Sequence, residues 1–243
     1  EGLEDQAVSL FSLLMSMNKA AQLKMINSRR PDAPSRRMRA SFLPLETAFP
    51  AVATVCCQGV VGAYSQIAAS KLFDVPEITF APTFQGVFRA VANGDVEFGV
   101  LPIENSTAGS VNAVYDLLGA HGCSIVRSLR LKISHNLLAR PGVRLNDIRE
   151  VVSHNQALNQ CAGYLERLGV ATTVCENTAR AAELVASSSR TDIAALSSLA
   201  CANVYGLSVL ARGVQDSDAN YTRFVVIARE PAIYPGADRS SIQ

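Results

Sequence analysis

Three short stretches of this chain carry side chains suited to hydrogen-bond and proton-transfer chemistry. Asn220-Tyr221-Thr222-Arg223-Phe224 sets a hydroxyl, a guanidinium and an aromatic ring side by side at the start of the apolar run Val225-Val226-Ile227-Ala228. Such a run reads as a buried strand, whose first residues emerge at a sheet edge where a cleft can form. A hydroxyl is a weak acid, so Thr222 suits an oriented hydrogen-bond donor. Arg223 follows directly and, on a strand, points to the opposite face; its plainest role is an ion pair that pins the strand end. Leu101-Pro102-Ile103-Glu104-Asn105-Ser106-Thr107 ends a second apolar strand on a carboxylate, an amide and two hydroxyls. Glu104 is the better proton donor if it is buried, and Asn105 can donate to a carboxylate or carbonyl. The same run reads as a helix cap, which together with Ser110 would offer hydroxyls and backbone amides to an anion. The third stretch is Ser153-His154-Asn155-Gln156, extending to Gln160 and Cys161. Gln156 and Gln160 lie four apart and share a helix face, where glutamines are ordinarily surface residues. His154 reads as a local hydrogen-bonding residue before a general base, Asp216 and Asp218 as turn formers, and Asn220 as loop support.

Elements must hold these stretches together. A strand over 52–57 leads through Gly59-Val60-Val61-Gly62 into a helix over 65–73, then strand 76–80, helix 83–92 and strand 96–101. The two glycines read as a tight turn or a close backbone approach to an anion; the pattern lacks the residues of a P-loop or dinucleotide fingerprint. Helix 109–121 and a long strand 124–139 follow. The second half repeats the rhythm with strand 149–153, helix 156–168, strand 171–175, helix 178–188, strand 192–196, helix 198–204 and strand 207–211. Alternation on this scale predicts an α/β protein of two lobes, each a mostly parallel sheet with flanking helices. The segments 124–139 and 213–228 read as the crossovers between lobes, with ligand in the cleft. The expected lobes are 51–128 plus 213–230, and 129–212.

The chain has 243 residues, 49% hydrophobic and 18% charged, with formal net charge +1. That composition predicts no nucleic-acid footprint, and no stretch approaches the ~20 apolar residues of a membrane span. The acidic start, Glu1-Gly2-Leu3-Glu4-Asp5, is unlike a secretory signal, so a cytoplasmic protein is expected. Its six cysteines read as reduced buried thiols, and they and the histidines lack metal-ligand spacing, so neither metal nor cofactor is expected.

From Gln58-Gly59-Val60-Val61-Gly62-Ala63-Tyr64-Ser65 to about Glu230, the three stretches in this order resemble prephenate dehydratase. The resemblance implies a periplasmic-binding-protein type II-like fold and conversion of prephenate to phenylpyruvate, carbon dioxide and water in phenylalanine biosynthesis. It implies Thr222, Glu104 and Asn105 as catalytic residues, and Ser106, Thr107, Ser110, Ser153, Gln156, Gln160, Arg223 and Phe224 as substrate-binding residues. A homodimer is implied as well. Arogenate as substrate, and a non-catalytic binding protein of the same two-lobed fold, stay open as alternatives. Residues 1–30 hold one apolar helix (Val8, Phe11, Leu14, Met15 and Met17 near helical spacing) that resembles the end of a chorismate mutase domain. Residues 31–50 read as a basic, proline-containing linker, and 231–243 as a tail towards an ACT domain. The expectation is a dehydratase module from a larger phenylalanine-regulated enzyme.

Overall fold

The computed structural model describes residues 48–232 and Tyr234. The expected helix at 1–30, all but the last three residues of the linker expected at 31–50, and most of the tail expected at 231–243 lie outside the described residues.

The first lobe grows from β-α-β units. Strand β1 (Val52–Gln58) pairs parallel with β2 (Val75–Ala81) and β3 (Phe98–Asn105), joined by helices α1 (Tyr64–Leu72) and α2 (Phe84–Asn93). Thr83 caps α2 by accepting from Gly86 N, and Gly94 closes it with φ 81°. A short strand β4 (Gly109–Ser110) folds back on β3, and α3 (Asn112–His121) covers the same face as α2. Strand β5 (Ser124–Lys132) and the last strand β11 (Tyr221–Ala228) complete the sheet, in the order β2-β1-β3-β11-β5. Strand β11 runs antiparallel to both neighbours. One face packs on α1 through Val55, Cys57, Val100, Phe224 and Val226; the other packs on α2 and α3 through Cys56, Leu101, Ile103, Val225 and Ile227. Cys56 and Cys57 thus face opposite sides, as strand alternation requires.

The second lobe holds β6 (Asn136–Ala139), β7 (Glu150–Ser153), β8 (Ala171–Val174), β9 (Ile193–Ser197) and β10 (Ser208–Ala211), in the order β10-β6-β9-β7-β8. Helices α4 (Asn155–Gln160), α5 (Ala162–Leu168), α6 (Thr178–Ser187) and α7 (Leu199–Tyr205) flank it. The two-lobed α/β class is as expected. Both sheets are mixed: strands in β-α-β succession are parallel, and those fed by the crossovers are antiparallel.

Two expected elements are divided. The long strand at 124–139 breaks at 133–135, where the chain passes between lobes, a few residues beyond the expected boundary at 128. Here Ile133 N donates to Asn220 O and Val214 N to His135 O, each at 2.9 Å, so the two crossovers run side by side. The helix expected over 156–168 breaks at Cys161 because the return segment bonds into it. Asp216 N donates to Gln160 O at 2.8 Å, and the Asp216 carboxylate accepts from Gly163 N at 3.0 Å. An uninterrupted helix would use those two backbone groups internally. A Cβ at Gly163 would stand 2.9 Å from Asp216 Oδ1, so glycine is needed for that approach.

A second tie joins the lobes. Ser198 and Cys201, at the start of α7, both donate to the carbonyl of Gly62, and Tyr205 OH donates to Val61 O at 2.8 Å. Gly62 has φ +88°, and a Cβ there would lie 2.6 Å from Cys201 Sγ. The second glycine of the pair therefore serves a close approach of backbone to helix.

Candidate active site

Strand pairing brings the first two motifs together. Thr222 lies opposite Asn105, and Arg223 opposite Glu104. Paired residues share a face and successive residues alternate, so the two pairs look to opposite sides of the sheet. Asn105 and Thr222 are each 8% exposed and Asn220 2%.

Asn105 is the hub. Its Oδ1 receives Thr107 N and Ala108 N at 3.0 Å, Thr107 Oγ1 at 2.7 Å and Gln156 Nε2 at 3.0 Å. Because backbone donors face it, the oxygen of this amide can point only that way. Asn105 Nδ2 must then face the acceptors, namely Thr222 Oγ1 at 2.9 Å, Asn220 Oδ1 at 3.0 Å and Tyr221 O at 3.2 Å. Orientation propagates outward from this backbone anchor. Asn220 Nδ2 donates to Gln160 Oε1 at 2.8 Å, and Gln160 Nε2 therefore faces Thr107 Oγ1. Four donors on one amide oxygen exceed its two lone pairs, so the Gln156 donor is free to transfer to a ligand at low cost. Thr222 Oγ1 accepts from Asn105, which leaves its O–H without an acceptor among the described residues.

The cluster thus contains Asn105, Thr107, Asn220 and Thr222 from the first lobe and return segment, and Gln156 and Gln160 from α4. Every member is neutral, and hydrogen bonds from Gln156 and Gln160 cross between the lobes. A pre-formed set of donors of this kind, with Asn105, Asn220 and Thr222 buried and Gln156 and Gln160 half-buried, stabilises charge that develops on a bound anion.

A sequence model described as prephenate dehydratase matches residues 55–232. The chain belongs to the prephenate dehydratase family. It is 46% identical over 182 residues to arogenate dehydratase/prephenate dehydratase 1 of Arabidopsis thaliana and 45% identical over 185 residues to arogenate dehydratase 2 of Petunia hybrida. These alignments cover 75% and 76% of this chain but 46% and 47% of the relatives, about half the length of the curated proteins it matches. Among solved structures, the prephenate dehydratase of Arthrobacter aurescens in complex with L-Phe aligns with TM-score 0.68 and 26% identity, covering 78% of this chain and 63% of that one. A protein titled GqqA, a novel type of quorum quenching acylase, aligns with TM-score 0.68 and 36% identity, covering 75% of this chain and 66% of that one.

Several residues expected at the site of this prephenate dehydratase family member sit elsewhere. Ser153 is fully buried and donates to Leu196 O at 2.7 Å, a tie between strands inside the second lobe. Phe224 is a core residue, 3% exposed, packed with Val100 and Val226. Ser106 clamps the return segment, donating to Ala219 O at 2.7 Å and accepting from Tyr221 N at 2.9 Å. Ser110 is exposed on β4, opposite Glu104. The Glu104 carboxylate is 51% exposed and 3.7 Å from Arg223 Nε, so the burial that would make it a proton donor is absent. Glu104→Gln should therefore lower turnover less than about fivefold, the scale of an exposed ion pair, as steady-state rates on the two enzymes will show. His154 caps α4, its Nδ1 accepting from Gln156 N at 3.3 Å.

The sequence reading missed His135. It is 3% exposed on the first crossover, and its Nε2 lies 2.9 Å from Gln160 Oε1. The available signal was a Ser134-His135-Asn136 polar triplet set between Ile133 and the apolar Leu137-Leu138. Tyr64 OH donates to the neighbouring Ser134 O at 2.6 Å, and burial holds the Tyr64 phenol protonated well above its usual range. Burial also lowers the pKa of His135, against the smaller opposing effect of its bond to Gln160, and lowers that of His154. Unfolded histidine takes up its proton near pH 6.5, whereas these two do so only at lower pH. The unfolded state therefore binds more protons in that window, and stability falls as pH drops below about 6.5. Urea midpoints measured at pH 7.5, 6.5 and 5.5 should decline in that order, with a smaller decline in His135→Gln.

Proposed function

We propose that this chain catalyses the decarboxylating dehydration of prephenate to phenylpyruvate. The observation that carries the reading is the Asn105–Thr222 pair, buried within one polar cluster that also engages Gln156 and Gln160. In the reaction, the electron pair of the ring–carboxylate bond moves into the ring as carbon dioxide leaves. The ring hydroxyl on the opposite carbon departs and takes a proton to become water, and the ring becomes aromatic. Thr222 supplies a hydrogen bond to that departing oxygen, and solvent supplies the proton that completes the water. Asn105 polarises Thr222 by donating to its oxygen. The Gln156 and Gln160 amides hold carboxylate or carbonyl oxygens. A neutral, closed cleft favours decarboxylation, because the carboxylate loses its charge as the reaction proceeds.

Arogenate is the second reading. It carries an amine where prephenate has a keto group, and curated relatives at 45–46% identity bear that name. The acylase title of one structural relative invites comparison too. Acyl transfer requires a nucleophile bonded to a base. Among the described residues Thr222 Oγ1 meets an amide donor instead, and His135 Nε2 is bonded to Gln160, which favours the dehydratase reading. The test is product formation from each acid in parallel: phenylpyruvate by ultraviolet absorbance from prephenate, and phenylalanine by chromatography from arogenate. A higher kcat/KM for prephenate supports the first reading, a higher one for arogenate the second. No turnover of either rejects both.

A further inference from the structure

We propose that His135 is a positioning residue that locks the Gln160 side chain so that its NH2 group, and not its carbonyl, is presented to an anionic ligand in the cleft; this rests on the dehydratase reading above. A glutamine amide can turn end over end with almost no change of shape, so its partners decide its orientation. Gln160 Oε1 has two, Asn220 Nδ2 at 2.8 Å and His135 Nε2 at 2.9 Å. Since Asn220 already requires Oε1 to be an acceptor, His135 must carry its proton on Nε2.

The surroundings hold the ring in that role. His135 N donates to Gln215 Oε1 and His135 O accepts from Val214 N, both at 2.9 Å, so its backbone is tied to the return segment. The Tyr64 ring meets the imidazole edge to face, with centroids 6.3 Å apart and an interplanar angle of 85°. His135 Nδ1 is buried with no hydrogen-bond partner among the described residues. A proton there would be an unsatisfied buried donor, whereas a lone pair there costs less. Both ends of the ring thus favour the same neutral tautomer. Burial opposes the charged imidazolium as well. Without His135, Gln160 Oε1 keeps one donor and its amide can reverse, turning a carbonyl towards a substrate carboxylate.

The experiment combines spectroscopy and kinetics on the full chain. Nitrogen-detected NMR of histidine-labelled protein at pH 7.5 should show His135 protonated on Nε2 and bare on Nδ1; the opposite tautomer would overturn the proposal, whether or not the protein turns over prephenate. With prephenate or arogenate, whichever wild type accepts, His135→Phe should raise KM about tenfold, the scale of one hydrogen bond to a charged ligand, with a smaller change in kcat. His135→Gln, which can offer an N–H at similar reach, should recover most of that loss. In a Gln160→Ala background, His135→Phe should add no further loss. Losses that multiply in the double variant, or a His135→Gln enzyme no better than His135→Phe, would reduce His135 to a packing residue and refute the assignment. Absence of wild-type turnover would refute the dehydratase reading and leave the tautomer measurement standing.

Discussion

Thr222→Ala will lose about a hundred- to a thousandfold in kcat while folding normally, the scale seen when one transition-state hydrogen-bond donor is removed. Folding should survive because Asn105 Nδ2 keeps Asn220 Oδ1 and Tyr221 O as acceptors when Thr222 Oγ1 is gone. No buried donor is orphaned, so the stability change should stay below about 1 kcal/mol. Thr222→Ser retains an oxygen at the same place and should keep most of the rate. Thr222→Val matches the shape of threonine without a hydroxyl and should be as slow as alanine. The comparison separates the chemistry of the hydroxyl from the packing of the methyl group, and requires only steady-state rates with thermal melts of the four proteins.

Asn105→Asp should be the most damaging isosteric change in the cleft. It swaps an NH2 for an oxygen where the structure presents three acceptors, Thr222 Oγ1, Asn220 Oδ1 and Tyr221 O. Only Thr222 can turn its hydroxyl to donate, and that is the hydroxyl the proposed reaction needs at the substrate. The other two contacts become oxygen against oxygen. An added negative charge, buried and facing an anionic substrate, compounds the loss. The donors on its other oxygen, Thr107 N, Ala108 N, Thr107 Oγ1 and Gln156 Nε2, still stabilise the charge in part, so a stability decrease of about 1–3 kcal/mol is expected, the scale of buried polar groups left unsatisfied. Denaturant unfolding at neutral pH will report it, and activity should fall below that of Thr222→Ala.

Local patterns announced most of the frame. Apolar runs of strand length, Gly94 after α2 and Gly206 after α7 mark elements whose causes lie within a few residues. Where the cause lies far along the chain, the sequence was silent. The break at Cys161 is produced by Asp216, 53 residues away in the Gly163–Asp216 contact. From sequence, Asp216 looked like a turn former. The choice between Glu104 and Asn105 required knowing that β3 continues through Asn105. Its partner β11, more than a hundred residues later, extends it that far and so places the two side chains on opposite faces. Ser153 ends a four-residue strand buried on both faces, where polarity gives no alternation to read. Thr222, Asn105, Gln156 and Gln160 were identifiable because family motifs mark them, but the amide orientations that make them a donor set follow only from the backbone of Thr107 and Ala108.

The account stands on where the ligand sits, and a crystal structure of the full chain with phenylpyruvate tests that most directly. The product carboxylate and keto oxygens should lie within hydrogen-bond reach of the Gln156 and Gln160 amides, with the aromatic ring beside Thr222 Oγ1. Phenylpyruvate bound instead at the Glu104–Arg223 face, or anywhere that leaves the Asn105 cluster untouched, would contradict it.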